Sequence, residues 1–534
     1  MTWLRALRVR LLTQILWFAV CFGVVVLLQW RANAYESEFG GNADEPAHYV
    51  TGLMVHDYVA QGFPGAPVAF ARNYYVHYPK VALGHWPPLF YVVQSVWTLV
   101  FTPGRASMML LMAFITALLL AVLFAALRGE FPVGIATGGA ALLLSLPIIQ
   151  QFSRDVMTEM LLALLVFSAT LAYGTYLDTE RWQPAAWFGI WFALALLAKG
   201  TAIQLALVPP AAILLTGRWR LLTRFSFWLP AVLVCAIAGP WYLWVPGAQH
   251  ESVARFGGVH FASARLIGSF VTWSNMLGGG LNALALAGIA MAASQLRKRS
   301  GMWTASLALL LGAYLSRLAI GAYEDRHLIV NLPVLMLFAA LPVNWWLNQR
   351  IPKFRRTAPV AALVMAALLA FNLSASPRKK HFGYSEVARN LLSHPEFAHS
   401  VILTCGSAEG EGMLVSEIAM HESRPGHIIL RATKMLASSD WMGWDYHALF
   451  RDSDEMLQYL ERIPVGIVVI DDAGRRTPHG QMLAQGIQAH PEKWQPLVNS
   501  AGDILVYRLI GHETRPIEKI QVPMRSGLYG TFSN

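Results

Sequence analysis

The sequence predicts a polytopic α-helical membrane protein of about eleven transmembrane helices, followed by a C-terminal soluble α/β domain. Three observations lead there. The 534 residues are 55% apolar and only 13% charged, about half the charged share of an average soluble domain, with a mean hydropathy of +0.44. Apolar runs long enough to span a bilayer recur along the first 373 residues. The short connections between alternate runs are basic, as the positive-inside rule requires. The net charge of +10 does not indicate nucleic-acid binding, because residues 1–373 carry 25 Lys+Arg against 13 Asp+Glu while residues 374–534 carry 16 against 18. The basic excess therefore belongs to the membrane part. Three cysteines, Cys21, Cys235 and Cys405, are too few and too scattered for a disulfide framework or a cysteine metal site.

The spanning runs are read at 11–30, 106–127, 131–150, 156–176, 184–198, 201–216, 226–245, 278–294, 302–320, 327–347 and 358–373. The fifth and sixth meet at Lys199-Gly200 and are short enough to be one interrupted unit. With the N-terminus and its Arg5, Arg8 and Arg10 cytoplasmic, the turns back to that side hold Arg128, Arg181, Arg218 to Arg224, Arg297 to Arg299, and Arg350 to Arg356. Losing one span would place alternate clusters on opposite sides. Ala32-Asn33-Ala34 has the small-x-small form of a signal-peptidase site, but the run from Leu11 to Trp30 is longer than a signal h-region and reads as a signal-anchor.

An odd count of spans sends the tail outward, so the expected organisation is a membrane domain at 1–373 with a large outer loop at 31–105, and an extracytoplasmic α/β domain at 374–534. Two helix-like pieces stand in the loop, near 45–61 and 87–101. In the tail, strand-like runs at Val401 to Cys405, His427 to Leu430, Val465 to Ile470 and Ile504 to Leu509 alternate with amphipathic stretches at 454–463 and 479–490. Gly406, Gly410 and Gly412 follow the first strand, but their spacing is wrong for a dinucleotide fingerprint, and Glu409 and Glu411 would repel phosphate. Asp471-Asp472 reads as a turn.

The residues able to carry chemistry gather on the outer side of this topology. Asp44-Glu45-Pro46 opens the first loop helix, with His48 one turn on. Asp44 suits an N-cap, and a carboxylate at a membrane interface also suits proton abstraction from an incoming hydroxyl. His85-Trp86-Pro87-Pro88 begins the second loop helix, where His85 is either structural or a ligand for phosphate or metal. Arg154-Asp155 precedes Thr158-Glu159, and Glu159 falls where an ionised group needs a partner or a task. Lys199 lies at a turn, and Tyr323-Glu324-Asp325-Arg326-His327 caps the tenth run. These clusters are expected to converge on one outward-facing site.

Asp44-Glu45 with Tyr49, His85 to Tyr91, Arg154-Asp155 with Glu159, Leu197 to Gly200, Pro240-Trp241-Tyr242, and Arg326-His327 with Pro333 together resemble the GT-C fold glycosyltransferases. More narrowly they resemble family 39 and the lipid A aminoarabinose transferase group, in order over roughly residues 1–345. The resemblance implies transfer of a sugar from a polyprenyl-phosphate donor to a lipid, glycan or protein acceptor at the outer (periplasmic) face of the bacterial inner membrane, usually with inversion. It implies Asp44, Glu45 and Asp155 as catalytic acids, with Asp44 the base, and Lys199 at the carrier phosphate. Arg154, Arg326 and His85 are further candidates for that phosphate on their charge and placement. A divalent cation is a candidate cofactor, with Glu45, His85, Asp155 and His327 its candidate ligands. The chain departs from the aminoarabinose pattern where it has Ala47, His48, His85 and Trp86. A lipid-linked sugar transporter would place charges near a membrane too, but it calls for paired repeats with broken helices at the midplane. A non-catalytic assembly protein would use the outer tail for binding.

The topology has a direct check. A reporter fused after residue 380 should read as extracytoplasmic, and a cytoplasmic reading would overturn the eleven-span count.

Overall fold

The computed structural model describes residues 2–82, 84–244, 263–319, 324–354, 377–438, 446–463, 465–497, 503–511, 524–526 and 530–532. The chain forms two compact units, one of Met1–Ala32, Trp86–Phe90 and Met109–Arg378, the other of Asn33–His85, Tyr91–Met108 and Lys379–Asn534. Segments of the 31–105 loop thus group with the tail.

The first unit is helical. Helices occupy ten of the eleven predicted runs, and the run at 358–373 lies outside the described residues. Among the described residues, four helices are each long and apolar enough to cross a membrane: Leu12–Arg31, Arg105–Glu130, Glu159–Thr179 and Asp325–Gln349. A fifth span arises if Phe270–Leu277 and Gly279–Ala293, bent by 119°, count as one. The remaining runs are shorter for local reasons. Val133–Ser145 ends at Leu146, whose ψ of 130° is the extended setting imposed by the following Pro147. Trp182–Ala198 stops at Lys199, which is extended at φ −160° and ψ 135°. A 3-10 helix, Gly200–Leu207, follows, and then Val208–Thr216 with Pro209 and Pro210 in its first turn, where a missing N–H costs little. The 119° bend falls at Gly278, whose φ of +73° suits glycine. Gly174 lets the Glu159–Thr179 helix meet Gly301–Ala319 backbone to backbone, since a Cβ there would lie 2.6 Å from the Cα of Met302. Trp303, fully buried, packs on Phe131 and Phe338.

The second unit is built on a five-stranded sheet. Strands β1 (Val401–Cys405), β2 (Ile429–Arg431), β5 (Val465–Ile470), β6 (Trp494–Pro496) and β7 (Leu505–Leu509) lie in the order β2-β1-β5-β7-β6. β1 runs parallel to β2 and β5, and β7 is antiparallel to β5 and β6. Every residue of β1 and β5 is buried, as a strand covered on both faces requires. Two further pairs, β3 (Ala437–Ser438) with β4 (His447–Ala448) and β8 (Met524–Ser526) with β9 (Gly530–Phe532), are antiparallel. Helix Ala408–His421 is capped by Ser407, Ser453–Arg462 by Asp452 and Pro478–Ala489 by Thr477, each through a side-chain oxygen.

Helices Glu45–Ala60 and Pro67–His77 belong to this unit. Charged contacts join them to the tail. Asp57 takes Arg424 on both oxygens, at 2.7 and 2.9 Å, and also accepts from the Tyr74 hydroxyl. Glu417 takes Arg105. Buried Glu38 accepts the backbone N–H groups of Phe382, Gly383 and Ser385, fixing the start of helix Tyr384–Ser393.

Candidate functional site

Asp44 and Glu45 are adjacent in sequence and differ sharply in surroundings. Asp44 is the N-cap residue of Glu45–Ala60, yet its side chain makes no cap bond. Its N–H is held by the Asn42 side chain at 3.0 Å, and its carbonyl accepts from the N–H of His48. The carboxylate is half-buried. Glu45 is fully buried. Lys379 donates to its two oxygens at 2.7 and 2.9 Å, and Gly41 donates its N–H at 2.8 Å. One carboxylate of the pair is sealed in an ion pair, and the other stands at the head of the helix without capping it.

Side chains from elsewhere in the same unit frame Asp44. Lys80 donates to the Ala43 carbonyl at 3.2 Å. Burial and the nearby Arg431 lower its pKa to about 7, and the carboxylates of Asp44, Glu411 and Glu409 partly oppose this. His48 Nδ1 and the Tyr91 hydroxyl lie 2.9 Å apart, both buried. Thr51 accepts from the N–H of Ala82, tying the segment before His85 to the acidic helix. His85 sits half-buried in the turn ahead of helix Leu89–Val100.

In the first unit the structure brings together Glu159, Lys199 and Arg326. Lys199 Nζ donates to Glu159 Oε1 at 2.6 Å, and Arg326 Nε lies 3.8 Å from the same oxygen. The guanidinium also grips Glu324 with two contacts, Nε to Oε2 at 2.7 Å and Nη2 to Oε1 at 3.0 Å. Glu159 is sealed, whereas the Glu324 side chain is half-exposed. Both cations stand where a 3-10 helix begins, Lys199 just before Gly200–Leu207 and Arg326 within Asp325–Asn331. Asp155 is buried on the turn ahead of the Glu159 helix. Arg154 donates to the Pro377 carbonyl at 2.6 Å, while Gln29 holds the Ser153 carbonyl at 2.7 Å.

Two of the four candidate metal ligands, Glu45 and His327, are engaged in other contacts. The oxygens of Glu45 are taken by an ammonium and a backbone N–H. His327 Nδ1 accepts the N–H of Glu324 in a capping box. Among the described residues, the group of three side chains close enough to hold an ion is Glu38, His381 and Glu386. The Glu38 oxygens there already accept three backbone N–H groups, and His381 bridges to Glu386 at 3.1 Å. That pattern is a hydrogen-bonded latch.

Sequence reasoning missed Lys80 and Lys379. Lys80 is the single lysine of the outer loop, which was a usable signal; Lys379 looked like part of a basic Arg378-Lys379-Lys380 cluster. The glycines after β1 do not open a phosphate loop, because a Cβ on Gly410 would lie 2.4 Å from Asp471 Oδ2 and 2.5 Å from the Tyr384 hydroxyl. Asp471 caps a short helix and accepts from Tyr384 at 2.6 Å.

Residues 85–244 match the family model described as dolichyl-phosphate-mannose-protein mannosyltransferase. Among curated proteins none matches the chain significantly. In three dimensions the chain is similar to ArnT from Cupriavidus metallidurans in its apo state, with a TM-score of 0.59 at 15% identity over 93% of this chain and 99% of that one. The same protein bound to undecaprenyl phosphate gives 0.51 at 16% identity, covering 94% and 99%. The archaeal oligosaccharyltransferase AglB from Archaeoglobus fulgidus, in complex with an inhibitory peptide and a dolichol-phosphate, gives 0.52 at 14%, covering 85% of this chain and 69% of that one. The chain has the GT-C fold of these membrane glycosyltransferases, in agreement with the motif order read from its sequence.

The Lys80 environment makes a pH prediction. Its folded pKa lies below the usual lysine value near 10.4, so between about pH 7 and 10 the unfolded chain binds more protons and this residue makes stability rise with pH. The cost of burying its charge is fully present below pH 7. Replacing Lys80→Met should therefore stabilise the second unit more at pH 6 than at pH 10, measured as the difference in unfolding midpoint between variant and parent. A pH-independent difference would contradict the assignment.

Proposed function

We propose that this chain is an integral membrane glycosyltransferase that moves a sugar from a polyprenyl-phosphate donor to a hydroxyl of a lipid, glycan or protein acceptor, with inversion at the anomeric carbon. The reading places the reaction at the outer face of a bacterial inner membrane, with the N-terminus cytoplasmic and the tail outside. Its support is the GT-C fold together with the split character of the acidic pair.

Asp44 acts as the general base. The acceptor oxygen attacks the anomeric carbon on the face opposite the phosphate, and its proton passes to the Asp44 carboxylate. The bond from that carbon to the phosphate oxygen breaks, and its electron pair leaves with the polyprenyl phosphate. The leaving group gains negative charge, which fixed cations stabilise without reorganising. Lys199 and Arg326 take that task, with Arg154 and His85 as further contacts. Glu159 holds both cations in place, while Glu324, the exposed partner of Arg326, is the carboxylate an incoming phosphate would displace. Asp155 is the second acidic position of the site. Glu45 serves as an anchor.

The deciding variant is Asp44→Asn, which keeps size and removes the base. Because Asn keeps the size and a side-chain oxygen, stability should change by no more than the roughly 1 kcal/mol typical of a lost cap. Turnover of the purified polyprenyl-phosphate sugar should fall by about 10²- to 10⁴-fold. Near-parental turnover at equal folded amounts would remove Asp44 from the mechanism and move the search to Asp155.

A further inference from the structure

We propose that Lys379 is a positioning residue for Asp44, and that the α/β tail is the frame that orients the acidic helix of the outer loop. The inference rests on the reading of Asp44 as the base, and its evidence lies entirely within the second unit. Lys379 reaches both oxygens of Glu45, the residue next to Asp44, and the two side chains are sealed at 4% and 0% exposure. Glu45 Oε2 also takes the N–H of Gly41 at 2.8 Å, so one carboxylate fixes the chain on both sides of Asp44. The same two segments are stitched again. Ser37 donates to the Lys379 carbonyl at 3.1 Å, and Glu38 accepts the N–H groups of Phe382, Gly383 and Ser385. Residues 37–45 and 379–385 therefore hold each other through side chains of both.

A buried ion pair is a poor device for stability alone, since an apolar pair of equal volume often holds a fold as well. What a two-pronged charged contact adds is direction. Glu45 heads its helix, so the rotation of the first turn follows the position of the Lys379 ammonium, and the Asp44 carboxylate moves with it. A displacement of about 1 Å at a reacting group can cost on the order of 10²-fold in rate.

The test uses the full-length protein in lipid nanodiscs, with Lys379→Met, the double variant Glu45→Gln with Lys379→Met, and Lys493→Gln, which breaks an exposed pair with Glu461, as control. Lys379→Met should speed hydrogen exchange of amides 45–51 by on the order of tenfold while strand β5 keeps its protection. Its turnover should fall on the order of 10²-fold. The double variant, which leaves no buried charge unpaired but still lacks the ammonium that sets the first turn, should keep the faster exchange at 45–51 and the lower turnover; recovery of both to the parental level would mean that only the unpaired charge mattered and would overturn the proposal. Unchanged exchange at 45–51 in Lys379→Met would overturn the proposal. So would equal loss of protection in β5, which would mean that Lys379 merely holds the unit together. If Asp44→Asn proves active, the base reading fails, and the exchange data alone still judge whether Lys379 orients this helix.

Discussion

Removing a carboxylate and an ammonium from water costs several kcal/mol each, so a protein that seals Glu45 and Lys379 together must place their charges with good geometry or lose the fold locally. That requirement organises the second unit. The partners are 334 residues apart in sequence, and their pairing joins the early part of the 31–105 loop to the first residues of the tail. Glu38, Asp57 and Arg105 repeat the arrangement around the loop, each meeting a group of the tail at a buried or nearly buried position. Once these contacts are made, Asp44 is left as the acid of the pair that is half-exposed, with Lys80 and Tyr91 nearby. Neighbouring side chains of the same chemical type thus acquire different surroundings.

The first unit follows a related logic by other means. Helices Trp182–Ala198, Phe225–Ile237 and Gly279–Ala293 are apolar all round, as buried or lipid-facing helices are, and Lys199 and Arg326 sit where helices stop. Lys199 is extended and Arg326 lies in a 3-10 turn, so neither cation interrupts a regular span. Breaks of this kind need identifiable causes. Two prolines after Val208, one after Leu146 and a positive-φ glycine at 278 supply them. Irregular backbone at membrane depth is tolerated where it is covered by protein or lines a cavity, and the buried Glu159 carboxylate is the group that both cations share here.

Much of this was legible in the sequence, and the reasons differ by element. Strands β1 and β5 were readable because both faces are buried and their residues are almost all apolar. The loop helix at 45–60 was readable from Asp44 and Pro46. The helix Pro67–His77 was missed because only Ala71, Tyr74 and Tyr75 are buried, too few to set a period. The apolar runs at 131–150 and 226–245 look continuous in sequence, although Pro147 and Gly239-Pro240 divide them. The cluster of Glu159, Lys199 and Arg326 came partly from charge placement and partly from the family resemblance. Lys379 could come from neither. Its partner is remote, and a lysine beside Arg378 and Lys380 has no local mark of burial.

In the proposed reaction the Asp44 carboxylate takes the acceptor proton while Glu45 only holds its neighbour. Chemical rescue tests this most directly. Asp44→Ala and Glu45→Ala, each purified with parental fold, would be assayed for sugar transfer with rising concentrations of formate or azide. A small anion can enter the space of a missing catalytic carboxylate and restore its charge, but it cannot rebuild a buried anchor. Concentration-dependent recovery is expected for Asp44→Ala and none for Glu45→Ala. Rescue of Glu45→Ala alone, or full turnover of Asp44→Ala without added anion, would contradict it.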